Sequence, residues 1–228
     1  LSKLLLDASC AARDDGQPNG VLEIGTLETT LALRLPQLIA QFAKAYPEVR
    51  PVVRTGTTCS LIQAVIDSRL EGAFVAGPVN HPHLHSELAF REELVLVTSP
   101  AIHSLEAVAG IDTLKTVVFR VGCSYRQRLD ALLASLGIQA PEPLEFGSID
   151  AIIACVSAGV GVTLLPRGVV ANAVREGLVA AHEIAPELAA VETVFVRRLD
   201  GYCSSALSTF LQSVRLDGAT AAPMPLAS

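Results

Sequence analysis

The chain has 228 residues, half of them apolar, and a formal net charge of −6 with no basic stripe. That is enough to bury one large core or two small ones, and it argues against these residues contacting nucleic acid themselves. No run of about eighteen apolar residues and no basic-then-apolar start is present, so neither a membrane span nor a signal peptide is read from it. The first residue is Leu1 rather than Met, so a fragment or processed product is expected. The five cysteines, Cys10, Cys59, Cys123, Cys155 and Cys203, are odd in number, widely spaced and lack a CxxC pair, which suits a reducing cytosol.

Leu1, Leu4, Leu5 and Ala8 read as the last turns of a helix, followed by the linker RDDGQPNG. Val21 to Gly25 alternates as a strand. After Thr26-Leu27-Glu28-Thr29-Thr30, the residues Leu31, Leu35, Leu38, Ile39, Phe42 and Tyr46 recur at helical spacing, so one helix is expected there, closed by Pro47. The same unit then repeats. Val52-Val53 runs into the turn Thr55 to Ser60, Leu61, Ile62, Val65, Ile66 and Leu70 mark a helix starting near Thr58, Gly72 is read as its stop, and Ala73 to Ala76 forms a strand. Such a strand, helix and strand unit is expected to be parallel with a right-handed crossover. Its turn presents backbone N–H groups and the hydroxyls of Thr57, Thr58 and Ser60 beyond the strand's carboxyl edge, where a small anion can be held, although the same residues also serve simply as a helix cap.

His81, His83 and His85 lie on a Pro-broken loop without a fourth partner, so solvated loop histidines rather than a metal site are expected. Leu88 to Phe90 and Leu94 to Val97 read as two adjacent strands. A second pair of units follows. Val117 to Phe119 leads through Arg120 to Ser124 into a helix marked by Tyr125, Leu129, Leu132, Leu133 and Leu136, and Leu144 to Phe146 leads through Gly147-Ser148 into a helix marked by Ile149, Ile152, Ile153 and Val156. The strand Val162 to Pro166, a short helix near Val169 to Val174, strands near 178–181 and 191–197, and a closing helix near 204–214 complete the chain.

Two units before residue 98 and two after predict two similar α/β lobes, crossed by the chain near 97–100 and again near 195–199, able to hinge around a small, anionic ligand held in the cleft between them. The expected division is 1–19 as helix end and linker, 20–98 with 197–216 as one lobe, 99–196 as the other, and 217–228 as a disordered tail.

The segments RLPQLIAQFAKAYPEV, LIQAVIDSRLEGAFV and VSAGVGVTLLP, in that order and spacing, resemble the effector-binding domain of LysR-type transcriptional regulators over roughly residues 20–214. The resemblance implies two Rossmann-like lobes in a type 2 periplasmic-binding-protein-like topology, assembly as a homodimer or homotetramer, cytoplasmic location and an N-terminal winged helix-turn-helix that this sequence lacks. It also implies effector contacts at Thr26, Leu27 and Thr29, at Thr57, Thr58 and Cys59, at Gly122, Cys123, Ser124 and Tyr125, and at Ser148 and the strand end Leu165-Pro166. Thr58 and Ser124, at helix starts on opposite lobes, are the leading pair. Packing is the default reading of Cys59 and Cys123, with thiol sensing as the alternative.

No GxSxG, HExxH, Walker loop or paired carboxylates at a turn are present, so neither catalysis nor a cofactor is expected. A solute-binding protein of a small-anion transporter shares the expected topology and is the second reading.

Overall fold

The computed structural model describes residues 14–111, 114–119, 124–138 and 143–220, with the side chains of Ser124 and residues 217–220 outside that description. By contact the chain divides into two units, Leu1–Phe90 with Thr193–Ser228, and Arg91–Glu192.

In the first unit β1 (Gly20–Thr26) is followed by α1 (Glu28–Leu33), α2 (Leu35–Ala45), β2 (Val49–Thr55), α3 (Thr58–Ile66) and β3 (Gly72–Ala76). The single helix expected from Leu31 to Tyr46 is broken. Pro36 has no N–H and its ring would strike the carbonyl four residues back, so the chain turns at Arg34 (φ −112°, ψ −41°), whose N–H closes α1 on the Thr30 carbonyl. The stop of α3 also differs from expectation. It ends at Ile66, Ser68 takes the left-handed conformation (φ 59°), Arg69 N–H bonds back to the Ala64 carbonyl at 2.9 Å, and Gly72 opens β3 instead.

The two strands expected between 88 and 97 are one, β4 (Leu84–Thr98). Arg91, Glu92 and Glu93 look like a break, but with no Gly or Pro the backbone stays extended, and Arg91 and Glu93 form exposed ion pairs with Glu192 (3.3 Å) and Arg167 (3.1 Å).

The second unit continues with α4 (Leu105–Ala109), β5 (Thr116–Phe119), α5 (Ser124–Ser135), β6 (Pro143–Phe146), α6 (Ile149–Ser157), β7 (Thr163–Pro166), α7 (Arg167–Arg175), β8 (Ala180–His182) and α8 (Pro186–Ala189), and the chain closes with β9 (Ala190–Arg198) and α9 (Ser205–Thr220). The closing helix runs on to Thr220, past residue 217 where the tail was expected to begin, and residues 221–228 lie outside the described residues, as does the helix end expected within 1–12. β4 and β9 each run through a boundary between the units.

β1 pairs in parallel with β2 and β3, and β5 with β6, so the strands of each repeated unit end on a common edge. Apolar residues cover both faces of these strands, as buried parallel sheets require. In the first unit Leu22, Ile24, Phe74 and Phe195 pack with Phe42 of α2 and Phe210 of α9, while Val75 and Val196 pack with Leu61 and Val65 of α3. In the second, Leu94, Leu96 and Leu164 meet Leu129 and Leu133 of α5, while Val95, Val97 and Val117 meet Ile152 and Val156 of α6. Each such side chain contributes about 1.5–3 kcal/mol of burial. Among the described residues no helix is long and apolar enough to cross a membrane.

Candidate functional site

The carboxyl ends of β1, β2 and β3 come together because the strands are parallel and in register, Thr26 opposite Thr55 and Ile24 opposite Gly72. The two turns are tied directly, Gly56 N–H donating to the Thr26 carbonyl at 3.2 Å. Gly25 lets α3 close over β1. A Cβ there would lie 2.7 Å from Leu61 Cδ2 and 2.8 Å from Leu70 Cδ1.

The hydroxyls in this cluster are not equivalent. Thr26 is fully buried and its hydroxyl donates to the Leu27 carbonyl at 3.2 Å. Thr29 is also buried, and Leu27 is the N-cap of α1 and packs on the core under α3. Thr57 and Ser60 satisfy each other in a capping box: Ser60 N–H donates to Thr57 Oγ1 at 3.3 Å and Thr57 N–H to Ser60 Oγ at 3.0 Å, while the Ser60 hydroxyl also reaches the Thr57 carbonyl at 3.0 Å. Read as ligand donors in the sequence, these two are spent on starting α3. The spacing of Thr57 and Ser60, a hydroxyl pair three apart before an apolar run, carries that signal. Thr58 differs. Its Oγ1 accepts from Ala76 N–H at the end of β3 at 3.2 Å, which leaves its own proton to donate. The N–H groups of Thr58 and Cys59 precede the first intrahelical acceptor, and Cys59 is an exposed free thiol.

In the second unit the same logic gives the ends of β5 and β6, Phe119 opposite Phe146, with β7 on the same edge through the parallel bridge of Thr116 to Val162. Ser148 caps α6 from an exposed position, and its hydroxyl makes no capping bond. Asp150 in the first turn complements the dipole of that helix. Tyr125 is 6% exposed within the α5 core, and Leu165 and Pro166 are buried, Pro166 preceding α7. Gly122 and Cys123 lie outside the described residues, and of Ser124 only its place at the start of α5 is described.

His81 Nδ1 accepts from His83 N–H at 3.2 Å and the two rings lie 5.6 Å apart. Among the described residues no group of three His, Cys, Asp or Glu is placed to hold a metal ion.

The profile of the LysR substrate binding domain matches residues 15–217. The HTH-type transcriptional regulator GltR of Bacillus subtilis (strain 168) is 42% identical over 209 residues, which cover 92% of this chain and 71% of GltR. This chain belongs to the LysR-type transcriptional regulators. A second relative, the regulator YofA of the same organism, is 39% identical over 213 residues, covering 92% of this chain and 73% of YofA. Solved structures agree on the fold. The effector binding domain of QuiR in complex with shikimate aligns with a TM-score of 0.73 at 20% identity, over 89% of this chain and 99% of that one. Full-length CbnR complexed with its target DNA aligns with a TM-score of 0.68 at 19% identity, over 95% of this chain and 76% of CbnR.

The fold is therefore the type 2 periplasmic-binding-protein-like fold of LysR effector-binding domains, and the chain is a ligand-sensing regulatory domain. Its relatives are transcriptional regulators rather than enzymes, and they favour the regulator over a transport-associated binding protein.

Proposed function

We propose that this LysR-type domain senses a small anionic effector at the carboxyl edge of β1, β2 and β3. The observation that carries this reading is the start of α3, where the Thr58 hydroxyl proton and the N–H groups of Thr58 and Cys59 are left to donate after the capping box and the Ala76 bond have used the neighbouring groups. Donors aimed from a helix N-terminus favour a carboxylate or similar head group, and the net negative charge of the chain does not oppose it because the dipole acts locally. Leu27 beside this turn gives the ligand body an apolar contact. In the second unit, the exposed hydroxyl of Ser148 and the start of α5 offer the corresponding donors.

The effector acts by differential affinity. It stabilises the conformation that binds it better, and the shift is passed to a homodimer or homotetramer in the cytoplasm whose N-terminal heads bind DNA. Known LysR-type regulators supply the parts of this scheme, QuiR with shikimate and CbnR with its target DNA.

A thermal-shift screen of small carboxylates and inorganic anions tests it. A ligand at a hundredfold over its dissociation constant stabilises by about 2.7 kcal/mol, raising the melting temperature by roughly 5–10 °C for a chain this size. Thr58→Val should abolish the shift and Thr58→Ser should keep it. A shift that Thr58→Val leaves intact places the effector elsewhere.

A further inference from the structure

The first unit has a cavity of about 550 Å³ at the other end of its parallel strands from the proposed anion turn, beside the amino ends of β1 and β3 and the last residues of β9. Val21, Leu70 and Tyr202 give it apolar surface, with Val21 47% and Tyr202 39% exposed. Its charged groups pair unevenly. Glu23 has Arg54 at 3.0 Å, Arg69 has Asp67 at 3.2 Å and Arg198 has Asp200 at 3.1 Å.

Of the remaining charges in the wall, Asp14 is held by the main-chain N–H groups of Ser205 and Gly16, and Glu71 and Arg197 have no opposite charge among the described residues. The Glu71 carboxylate, mostly buried, receives the Ser204 hydroxyl at 2.7 Å. Ser204 Oγ in turn accepts the Leu207 N–H at 3.1 Å at the start of α9. Burial pushes the Glu71 carboxyl up, against hydrogen bonds from Ser204 and the Glu23 main chain, and the charges of Glu23 and Asp14 add to the rise. Among the described residues Glu71 forms no ion pair. Arg197, half-buried, makes one long hydrogen bond to the Arg198 carbonyl at 3.4 Å and, among the described residues, no ion pair. The two charged groups share a cavity without pairing with each other. Partly desolvated charges of opposite sign that do not meet are completed together by a molecule carrying both charges.

We propose that this cavity is a second ligand site, for a free α-amino acid with an apolar side chain. The ammonium group lies on Glu71, the carboxylate on the Arg197 guanidinium, and the side chain against Val21, Leu70 and Tyr202. The volume leaves ample room for a molecule of this size. The site is separate from the proposed anion turn at the other end of the strands, and it adds a second input to the same unit.

Calorimetry on the chain with L-leucine and L-phenylalanine as probes tests the proposal, with 4-methylpentanoate, which lacks the ammonium, and isopentylamine, which lacks the carboxylate, as comparisons. L-Leucine binds, each comparison compound binds at least about tenfold more weakly, and Glu71→Gln and Arg197→Gln each weaken L-leucine at least about tenfold. Thr58→Val leaves this binding unchanged, which separates the cavity from the anion turn. Should Glu71→Gln fail to unfold cooperatively, Arg197→Gln alone decides. The proposal is overturned by the absence of binding of both amino acids at about 10 mM, ten times a millimolar dissociation constant. It is equally overturned by binding that survives both cavity substitutions, or by binding that Thr58→Val removes.

Discussion

The hydroxyl oxygen of Thr58 accepts a hydrogen bond of 3.2 Å from the main-chain N–H of Ala76, joining the start of α3 to the end of β3. One side chain thus holds two elements of the site in place and still has a proton to offer.

Thr58→Val keeps the shape and removes the acceptor, so a partly buried Ala76 N–H loses its partner. A loss of about 1–3 kcal/mol is expected by urea unfolding. Thr58→Ser, which restores the oxygen, should recover most of it. A valine variant as stable as the parent would show that water satisfies Ala76 equally well.

Gly72 tests the assignment of the α3 end. A Cβ there would stand 2.2 Å from Phe195 Cζ and 2.9 Å from the Val196 carbonyl oxygen, at the buried amino end of β3. Gly72→Ala should cost at least about 1–3 kcal/mol through overpacking, and less in a Phe195→Leu background that relieves the clash, whereas a glycine needed only to stop a helix would cost the same in both. The midpoint of denaturant unfolding reads the difference.

That glycine also shows where the sequence is legible and where it is not. The apolar periodicity of Leu61, Val65 and their neighbours located α3 because a helix burying one face must repeat at 3.6 residues, and the parallel units followed from strand and helix order. The end of α3 was set by Ser68, a residue with no strong preference for positive φ, while the close approach of Phe195 comes from β9, more than a hundred residues away. Neither is a local pattern. The break before Pro36 was local and readable, since proline near a helix start forbids continuity with what precedes it. At the candidate site the turn chemistry was visible in Thr57, Thr58 and Ser60, but not its division of labour, because the partner of Thr58 is contributed by another strand. Glu71 and Arg197 gave no sequence signal at all, being ordinary charged residues until the strands place them in one cavity.

Asp14 caps α9 from the other end of the chain. Its carboxylate accepts from Ser205 N–H at 2.6 Å and from Gly16 N–H at 2.9 Å, and these bonds hold its pKa down from 3.8 to about 2. An acid with a depressed folded-state pKa stabilises above its unfolded value and loses that contribution as pH falls toward the folded one. Asp14→Asn should therefore be less stable than the parent at pH 7. The gap should narrow below about pH 4 and close near pH 2, provided folding persists that far. Paired urea titrations at pH 7, 5 and 3 check this, and a gap independent of pH would assign the effect to geometry rather than charge.

Glu71 runs the opposite way. Burial raises its carboxyl above the usual 4.5, with the charges of Glu23 and Asp14 adding to the rise. For an acid with a raised folded-state pKa, the favourable contribution is complete below the unfolded value and is lost as pH climbs through the folded one, because the buried charge must then be carried. Glu71→Gln keeps an oxygen for the Ser204 hydroxyl and discards the charge, so it should match the parent at pH 4 and exceed it in stability at pH 7. The same substitution should weaken any amino acid held in the cavity, so stability and binding should move in opposite directions at neutral pH. A glutamine variant that is less stable at pH 7 would mean that the Glu71 charge has a partner in the folded chain, and the cavity would then have no carboxylate to spare for an ammonium group.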